Sequence, residues 1–228
     1  MKNIAALKIV LGSGSPRRKQ LLEECGFNFI VRTKEIDETP PAGLVRAEIA
    51  MKLAEMKADA LSNSMNDDEI LITADTIVCL DDLVLNKPND AEHAFEMLNL
   101  LSNKSHQVYT GVCILNKKAK TIFSVETDVL FNQLNDELIK KYINNFKPYD
   151  KAGSYGAQEC LPFNMNPCSE KELAFMRSIG KPNLFENTLV QSDKENVPII
   201  KSISGSYFNV MGLPVVELVD QLNLLFPQ

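Results

Sequence analysis

The chain has 228 residues, of which 45% are hydrophobic, and its formal net charge is −6. This length and apolar content allow a substantial buried core, which excludes disorder of the chain as a whole. The acidic balance argues against a general nucleic-acid surface, so we expect no nucleic-acid partner. The sequence has no apolar run of the roughly 18 residues that a membrane-spanning helix needs, and residues 1–10 lack a secretory apolar core. We therefore expect a cytoplasmic protein without membrane association.

The five cysteines are odd in number and scattered among apolar neighbours, which indicates buried free thiols in a reducing compartment. Cys160 and Cys168 are the only pair that is close in sequence. Because the chain has just two histidines, we expect no zinc site at this pair.

The first predicted elements are a strand, a turn and a helix. Residues 7–11 form a short apolar run typical of a strand, and Leu21 and Leu22 begin a helical spacing of apolar side chains. Ser15 is the predicted N-cap of this helix and Pro16 its first helical residue. The glycines and serines in between therefore connect a strand to a helix.

Residues 13–18, which we call the anion site, have the properties of a phosphate-binding turn. Backbone N–H groups near Ser13 and Ser15 lie at the positive end of the helix dipole, and Arg17 and Arg18 add bidentate donors. Cations at this position oppose the dipole unless an anion sits there. No Gly-Lys-Ser/Thr follows, as a Walker loop requires, and the third glycine of a dinucleotide site is missing. The alternative is a plain turn with two solvated arginines.

The next elements carry two charged candidates. A second strand is predicted at 27–31, and the prolines that follow Glu38 place this residue in a loop. The apolar spacing over 43–62 predicts a helix with Lys57 on or near its polar side. Without further information, Glu38 is an ordinary surface charge and Lys57 an ordinary solvated lysine.

Asp75 is the strongest candidate for a functional residue. It interrupts the apolar run 70–78, which predicts a buried strand, and a carboxylate there is costly unless it binds a cation or receives hydrogen bonds. We therefore favour a functional Asp75 over a structural one. A hairpin turn at 81–82 returns the chain, which should bring Lys87 close to Asp75.

The rest of the chain predicts a mixed α/β fold. The strands at 106–115 and 121–131 should form an antiparallel hairpin, which makes the sheet mixed. The loop 148–159 combines acid, base, phenol and amide groups with small residues, so that substrate contact there is about as reasonable as a plain turn. The composition changes at 160–197, which we interpret as an insertion containing a helix at 169–179 and a polar tract at 191–196. Further helices are predicted at 90–101, 135–145 and from 214 on, with a strand at 199–203 and a turn at 205–212.

With these segments in place, the chain resembles the Maf family of nucleoside triphosphate pyrophosphatases. The matching segments occur in the family's order and cover nearly everything except 160–197. They are Ser-Gly-Ser-Pro-Arg-Arg at 13–18, Ala-Asp-Thr-Ile-Val at 74–78, Lys-Pro at 87–88, Asp-Lys-Ala-Gly-Ser-Tyr-Gly at 150–156 with Gln158, and Gly-Ser-Tyr at 205–207 leading to Gly-Leu-Pro at 212–214.

The resemblance implies a fold and an activity. The fold is an α/β structure with a mixed, elongated central sheet flanked by helices and two lobes around a cleft, as in the Maf and ITPase-like proteins, and residues 1–228 form a single such domain. The family members are usually homodimers. They hydrolyse the bond between the α- and β-phosphates with a divalent cation, Mg²⁺ or Mn²⁺, and release a monophosphate and pyrophosphate.

The resemblance also implies roles for single residues. Asp75 is the catalytic carboxylate, which would position and deprotonate water for in-line attack on the α-phosphorus. Asp75 and Glu38 would hold the metal, and Lys57 and Lys87 are the phosphate-facing lysines. The remaining phosphate contacts come from the anion site, through Ser13, Ser15, Arg17 and Arg18.

The combination of Arg17, Thr76 and Gln158 resembles the subgroup that acts on dTTP and UTP. Two features depart from the family pattern, namely Glu159 in place of a glycine and the segment 160–197. The alternative function is a non-catalytic nucleotide-binding regulator of cell division. Only the enzyme requires the acidic residues and both lysines together.

Overall fold

The computed structural model describes residues 6–184 and 197–227, so that the predicted polar tract at 191–196 lies outside the described residues. Strands and helices alternate along most of the chain, close to the positions predicted from the sequence. The strands are β1 (Lys8–Leu11), β2 (Phe29–Val31), β3 (Glu69–Leu80), β4 (Leu83–Leu85), β5 (Ser105–Leu115), β6 (Lys120–Phe131) and β7 (Ile200–Ser204). The helices are α1 (Pro16–Glu24), α2 (Ala47–Ser62), α3 (Ala91–Leu101), α4 (Asp136–Phe146), α5 (Ala157–Cys160), α6 (Glu170–Ser178), α7 (Tyr207–Val210) and α8 (Val215–Leu225).

The strands form one mixed sheet in the order β2-β1-β3-β5-β6-β7, with β4 beside β3. β1 runs parallel to β2 and β3, whereas the pairs from β3 through β7 are antiparallel. The predicted hairpin of β5 and β6 is confirmed, and so is the mixed α/β class.

Helices cover both faces of this sheet, as alternate side chains of β3 show. Leu71 packs in a buried cluster with the apolar side of α2. Ile72 and Val78 point to the opposite face, where α1, α3, α4 and α8 complete the largest core cluster. β3 is therefore covered on both faces, which explains its almost continuous apolar sequence.

A glycine allows α2 to approach the sheet closely. Gly111 of β5 lies opposite Asp75 in the register. A Cβ atom at this glycine would lie 2.3 Å from the backbone carbonyl carbon and oxygen of Ala50 in α2. No other residue type fits this contact without moving the helix. α2 is thus held against the same face of β3 that carries Asp75.

One edge of β3 is open over a short stretch. β1 ends beside β3 at the pair Leu11 and Ile72, and the antiparallel β4 ends beside it at the pair Val78 and Leu85. Between these pairs, residues 73–77 have β5 on one side and no strand of the described ranges on the other. Asp75 lies in this gap.

The segment 160–197 returns to the point where it leaves the fold. The backbone N–H of Val197 donates to the carbonyl of Glu159 at 3.1 Å. α6 begins at the predicted place with a capping box, in which Ser169 and Glu172 satisfy each other's backbone donors. The predicted turn at 205–212 differs from expectation, because it contains the short helix α7.

All five cysteines are free thiols, as the sequence predicts, and four of them are buried, whereas Cys168 is partly exposed. Within the described ranges, the helices are all too short or too polar to cross a lipid bilayer.

Candidate active site

A cleft of about 890 Å³ opens at the gap in β3. Its walls come from the start of α1, the loop after β2, α2, the loop after β4, the loop 150–158 and the end of α7. The structure thus brings together all the residues that the sequence singled out. Those lining the cleft are Ser13, Ser15, Arg17, Arg18, Glu38, Lys57, Asp75, Thr76, Lys87 and Gln158.

Two carboxylates converge on one lysine in this cleft. The Lys57 ammonium lies 2.5 Å from Asp75 Oδ1 and 3.2 Å from Glu38 Oε2. Asp75 is only 8% exposed, whereas the Glu38 side chain is about half exposed in its loop. Because α2 packs on the face of β3 that carries Asp75, the lysine side chain meets the carboxylate directly. Lys57 therefore stabilises the buried charge that strand β3 carries.

This donor set fits a hard divalent cation. The described ranges contain no cluster of three or more His, Cys, Asp or Glu side chains that could hold a metal ion by protein groups alone. Mg²⁺ is commonly held by one or two carboxylates, with water and substrate phosphates as the remaining ligands. Asp75 and Glu38 already direct oxygen atoms at a common cation, the Lys57 ammonium. These two carboxylates would hold the ion, in agreement with that mode of binding.

The start of α1 faces the cleft without an acidic group of its own. Ser15 is the N-cap and Pro16 the first helical residue, as predicted, but the Ser15 side chain makes no capping hydrogen bond. The first turn carries Arg17 and Arg18 and no acidic residue. The N–H groups of the first turn of a helix have no acceptor within the helix. An anion in the cleft would complement both the helix dipole and the arginines.

Arg18 connects three walls of the cleft. Its Nε donates to the carbonyl of Gly212 at 2.7 Å, and its two terminal nitrogens donate to Ser13 Oγ and Thr76 Oγ1 at 3.1 Å. Burial lowers the pKa of the Arg18 guanidinium, and the nearby negative charge of Asp75 opposes this shift. Arg18 thus holds the anion site, β3 and the end of α7 in a common arrangement, a role that the sequence did not reveal.

Arg17 belongs to a second network, which joins α1 to the loop 150–158. It lies 3.2 Å from Asp150, whose other oxygen accepts from Lys151 at 2.8 Å. Burial raises the pKa of Asp150, but the hydrogen bond and charge of Lys151, together with the charge of Arg17 and a backbone hydrogen bond, hold it below its ordinary value. Lys151 also lies 3.8 Å from Glu159, which accepts a hydrogen bond from the Tyr142 hydroxyl.

The mixed chemistry of this loop is visible in the sequence, but no role was predicted for Lys151. The residue is 9% exposed and lines the cleft. The signal that could have identified it is its position next to Asp150 in a loop of small residues. A lysine that is buried in such a loop needs a charged partner.

Of the three positions assigned to base selection, Thr76 and Gln158 differ from Arg17 and from each other in their surroundings. Thr76 Oγ1 accepts from Arg18 and shares a hydrogen bond of 2.9 Å with Thr110 Oγ1. Gln158 lies at the start of α5 and is partly buried in the cleft wall. Thr76 is therefore held in place by the protein itself.

Comparison with known proteins adds to this geometry. Residues 8–165 match the model of the family described as Maf-like protein, which is more than half of the chain. The chain belongs to the Maf family. The match includes the anion site, the gap in β3 and the loop 150–158, and therefore most of the cleft of this Maf protein.

Relatives of this Maf protein match over nearly their whole length. A dTTP/UTP pyrophosphatase of Bacteroides thetaiotaomicron is 41% identical, and the match covers 98% of each chain. One of Phocaeicola vulgatus is 43% identical over 99% of this chain and 100% of its own. Among solved structures, a nucleoside-triphosphatase / dITP/XTP pyrophosphatase of Mycobacterium abscessus is 15% identical over 55% of this chain and 73% of its own, with a TM-score of 0.37. At that score the likeness carries no argument.

Proposed function

We propose that this Maf protein hydrolyses dTTP and UTP to the corresponding monophosphate and pyrophosphate. The observation that carries the proposal is the convergence of Asp75 and Glu38 on Lys57 in a cleft that also receives the uncapped start of α1. Relatives of similar length that bear the name dTTP/UTP pyrophosphatase support the choice of substrate.

The proposed chemistry follows from the charges of a triphosphate. Its phosphate tail would lie against the start of α1 and Arg17, and Lys87, which also lines the cleft, would add a second cation. Asp75 would accept a proton from the attacking water, and Lys57 would hold its carboxylate in the required orientation. A divalent ion, when bound by Asp75 and Glu38, would supply Lewis-acid charge stabilisation. The cationic groups would stabilise the pyrophosphate leaving group.

Selection of the base would involve Arg17, Thr76 and Gln158. Thr76 lies on the buried strand β3 and is held by Arg18 and Thr110, so that its hydroxyl has a defined position. Gln158 offers an amide, which can donate and accept hydrogen bonds to the edge of a pyrimidine. We propose that Thr76 and Gln158 together favour pyrimidines over purines.

We also propose that residues 1–228 form one Maf-like domain, in which the segment 160–197 is an insertion. The hydrogen bond between Val197 and Glu159 supports this interpretation, because it joins the two ends of the segment. The family model ends at residue 165, whereas the relative from Bacteroides thetaiotaomicron matches over 98% of both chains. The segment is therefore shared with such relatives and lies mostly outside the family model.

A homodimer, a requirement for Mg²⁺ or Mn²⁺ and a cytoplasmic location complete the proposal. The five free thiols support a reducing compartment. Light scattering in solution tests the dimer, and a mass of one chain, 25.5 kDa, would contradict it.

The test of the activity is pyrophosphate release from dTTP, UTP, dCTP, dATP and GTP, each with Mg²⁺, with Mn²⁺ and with EDTA. We expect release from dTTP and UTP above all, and loss of release with EDTA. Tight nucleotide binding without release in any metal would contradict the enzyme and favour the non-catalytic regulator.

A further inference from the structure

Helix α6, in the described part of the segment 160–197, contacts the rest of the fold through a buried carboxylate. Glu172 of α6 is 1% exposed. Its Oε1 accepts hydrogen bonds from Ser206 Oγ and from the N–H of Phe208, each at 2.7 Å. Its Oε2 accepts from the N–H of Tyr207 at 3.2 Å, in addition to the Ser169 capping contacts. One side chain thus holds the beginning of α7.

These contacts depend on the carboxylate itself. Both oxygens of Glu172 face donors, and a glutamine would direct its own N–H groups at some of them. Burying an ionised carboxylate is costly unless it receives several hydrogen bonds, which the Ser206, Tyr207 and Phe208 donors provide. α6 and the start of α7 are therefore coupled, because the Glu172 carboxylate and the donors at the start of α7 are each other's hydrogen-bond partners.

α7 in turn holds two groups of the cleft. The carbonyl of Asn209 accepts from Thr110 Oγ1 at 3.0 Å, and Thr110 is hydrogen-bonded to Thr76. The carbonyl of Gly212, just beyond α7, accepts from Arg18 Nε. Gly212 has φ of +106°, a conformation that favours glycine, so the direction of this carbonyl is specific to the turn.

We propose that Glu172 is a positioning residue of the nucleotide site, which acts through α7 to hold Arg18 and Thr76 in the cleft wall. The identity of the nucleotide, a pyrimidine nucleoside triphosphate, rests on the proposed function. Helix α6 then contributes to substrate recognition, although it lies beyond residue 165, where the family model ends.

The test compares Glu172→Gln with Glu170→Gln, an exposed glutamate two residues earlier in the same helix. Both variants are first shown to be folded by circular dichroism at the assay temperature. For Glu172→Gln we expect the KM for dTTP to rise about tenfold and the preference for dTTP over dGTP to fall, with a smaller change in kcat. Glu170→Gln should match the wild type.

The split between KM and kcat separates positioning from simple stabilisation. A variant that is merely less stable contains less active enzyme, which lowers the apparent kcat and leaves KM unchanged. An unchanged KM and an unchanged base preference in folded Glu172→Gln would overturn the proposal. If Glu172→Gln does not fold, Ser206→Ala removes one donor to Glu172, and an unchanged KM for dTTP in that variant would overturn it equally.

Failure of the proposed function gives a different result. Wild-type protein that releases no pyrophosphate from any nucleotide contradicts the enzyme and leaves the positioning of the site to be measured by binding. In that case calorimetry with a non-hydrolysable α,β-imido analogue of dTTP decides. A Kd about tenfold weaker in Glu172→Gln than in Glu170→Gln supports the positioning role, and equal values overturn it.

Discussion

Asp75 is the ionisable side chain in the middle of β3, among apolar and threonine neighbours. The presence of a partner for Asp75 was predictable from sequence, because a carboxylate in a buried strand is costly without one. The identity of that partner was not predictable. Lys57 lies 18 residues earlier on α2, and its position on a polar side of the helix is equally typical of a solvated lysine.

At the scale of single residues, Asp75→Asn should lower kcat by about a hundredfold or more while the protein stays folded, the scale expected for the loss of acid–base catalysis. Pyrophosphate release and thermal unfolding measure the two effects. Asp59→Asn is the matched control. Asp59 lies on α2, as Lys57 does, but it is exposed and pairs with Lys120 of β6. Near wild-type turnover of Asp75→Asn would reject the assignment of Asp75.

Gln158→Ala should change the choice of base more than the chemical step, because Gln158 lies in the cleft wall while Asp75 and Lys57 are untouched by the substitution. We expect the ratio of kcat/KM for dTTP to that for GTP to fall about tenfold, the scale of a lost hydrogen bond. Steady-state assays with both nucleotides measure this ratio. If it does not change, Gln158 does not select the base.

At the scale of elements, periodicity and turn chemistry predicted nearly every helix and strand. The exceptions are α5 and α7, each four residues long, which were predicted as part of a loop and as a turn. Helices this short have no apolar periodicity of their own, and α7 is held by Glu172 and Thr127, which are remote in sequence. Local patterns do not contain such contacts.

The contact between α2 and β5 leads to a prediction at this scale. Gly111→Ala should lower the free energy of unfolding by about 2 kcal/mol, because its Cβ would overlap the backbone of Ala50 and force the helix outward. Urea unfolding measures the change. Gly14→Ala is the control for stability, since the nearest atom to its Cβ lies 3.9 Å away. Equal stability of Gly111→Ala and wild type would show that α2 moves without cost.

At the scale of the whole molecule, several residues of the cleft were predictable from the sequence, but the contacts between them were not. The site residues named from the sequence all line the cleft, but Glu38 and Lys57 were assigned a role only through the family resemblance, and Lys151, which also lines it, was not named. The roles of Arg18, Lys151 and Glu172 became visible only in the structure. Arg18 and Gly212 are 194 positions apart, and only folding brings such pairs together.

Stability of the whole fold should depend on pH through His106. This residue is fully buried on β5, its Nε2 lies 2.8 Å from the Tyr155 hydroxyl, and burial lowers its pKa from 6.5 to about 3. Between these values the unfolded chain binds a proton that the folded protein does not. This contribution to stability is complete above pH 6.5 and is lost as the pH falls towards 3.

From pH 7.5 to 5.5, this difference should remove about 1.4 kcal/mol from the free energy of unfolding of the wild type. The free energy of unfolding of His106→Gln should fall by less over the same pH interval, whatever its value at pH 7.5. Urea unfolding at several pH values measures both slopes, with His93→Gln on the partly exposed surface of α3 as the control. Equal slopes for wild type and His106→Gln would contradict the assignment.

The hydrogen bond that joins Val197 to Glu159 makes two distant points of the chain immediate neighbours. Whatever polypeptide lies between them can lengthen or shorten in related proteins without shifting the register of a single strand. Natural variation, or a designed graft, could therefore replace this stretch independently of the sheet that carries Asp75, provided that the new stretch supplies an acceptor for the amides that Glu172 now serves.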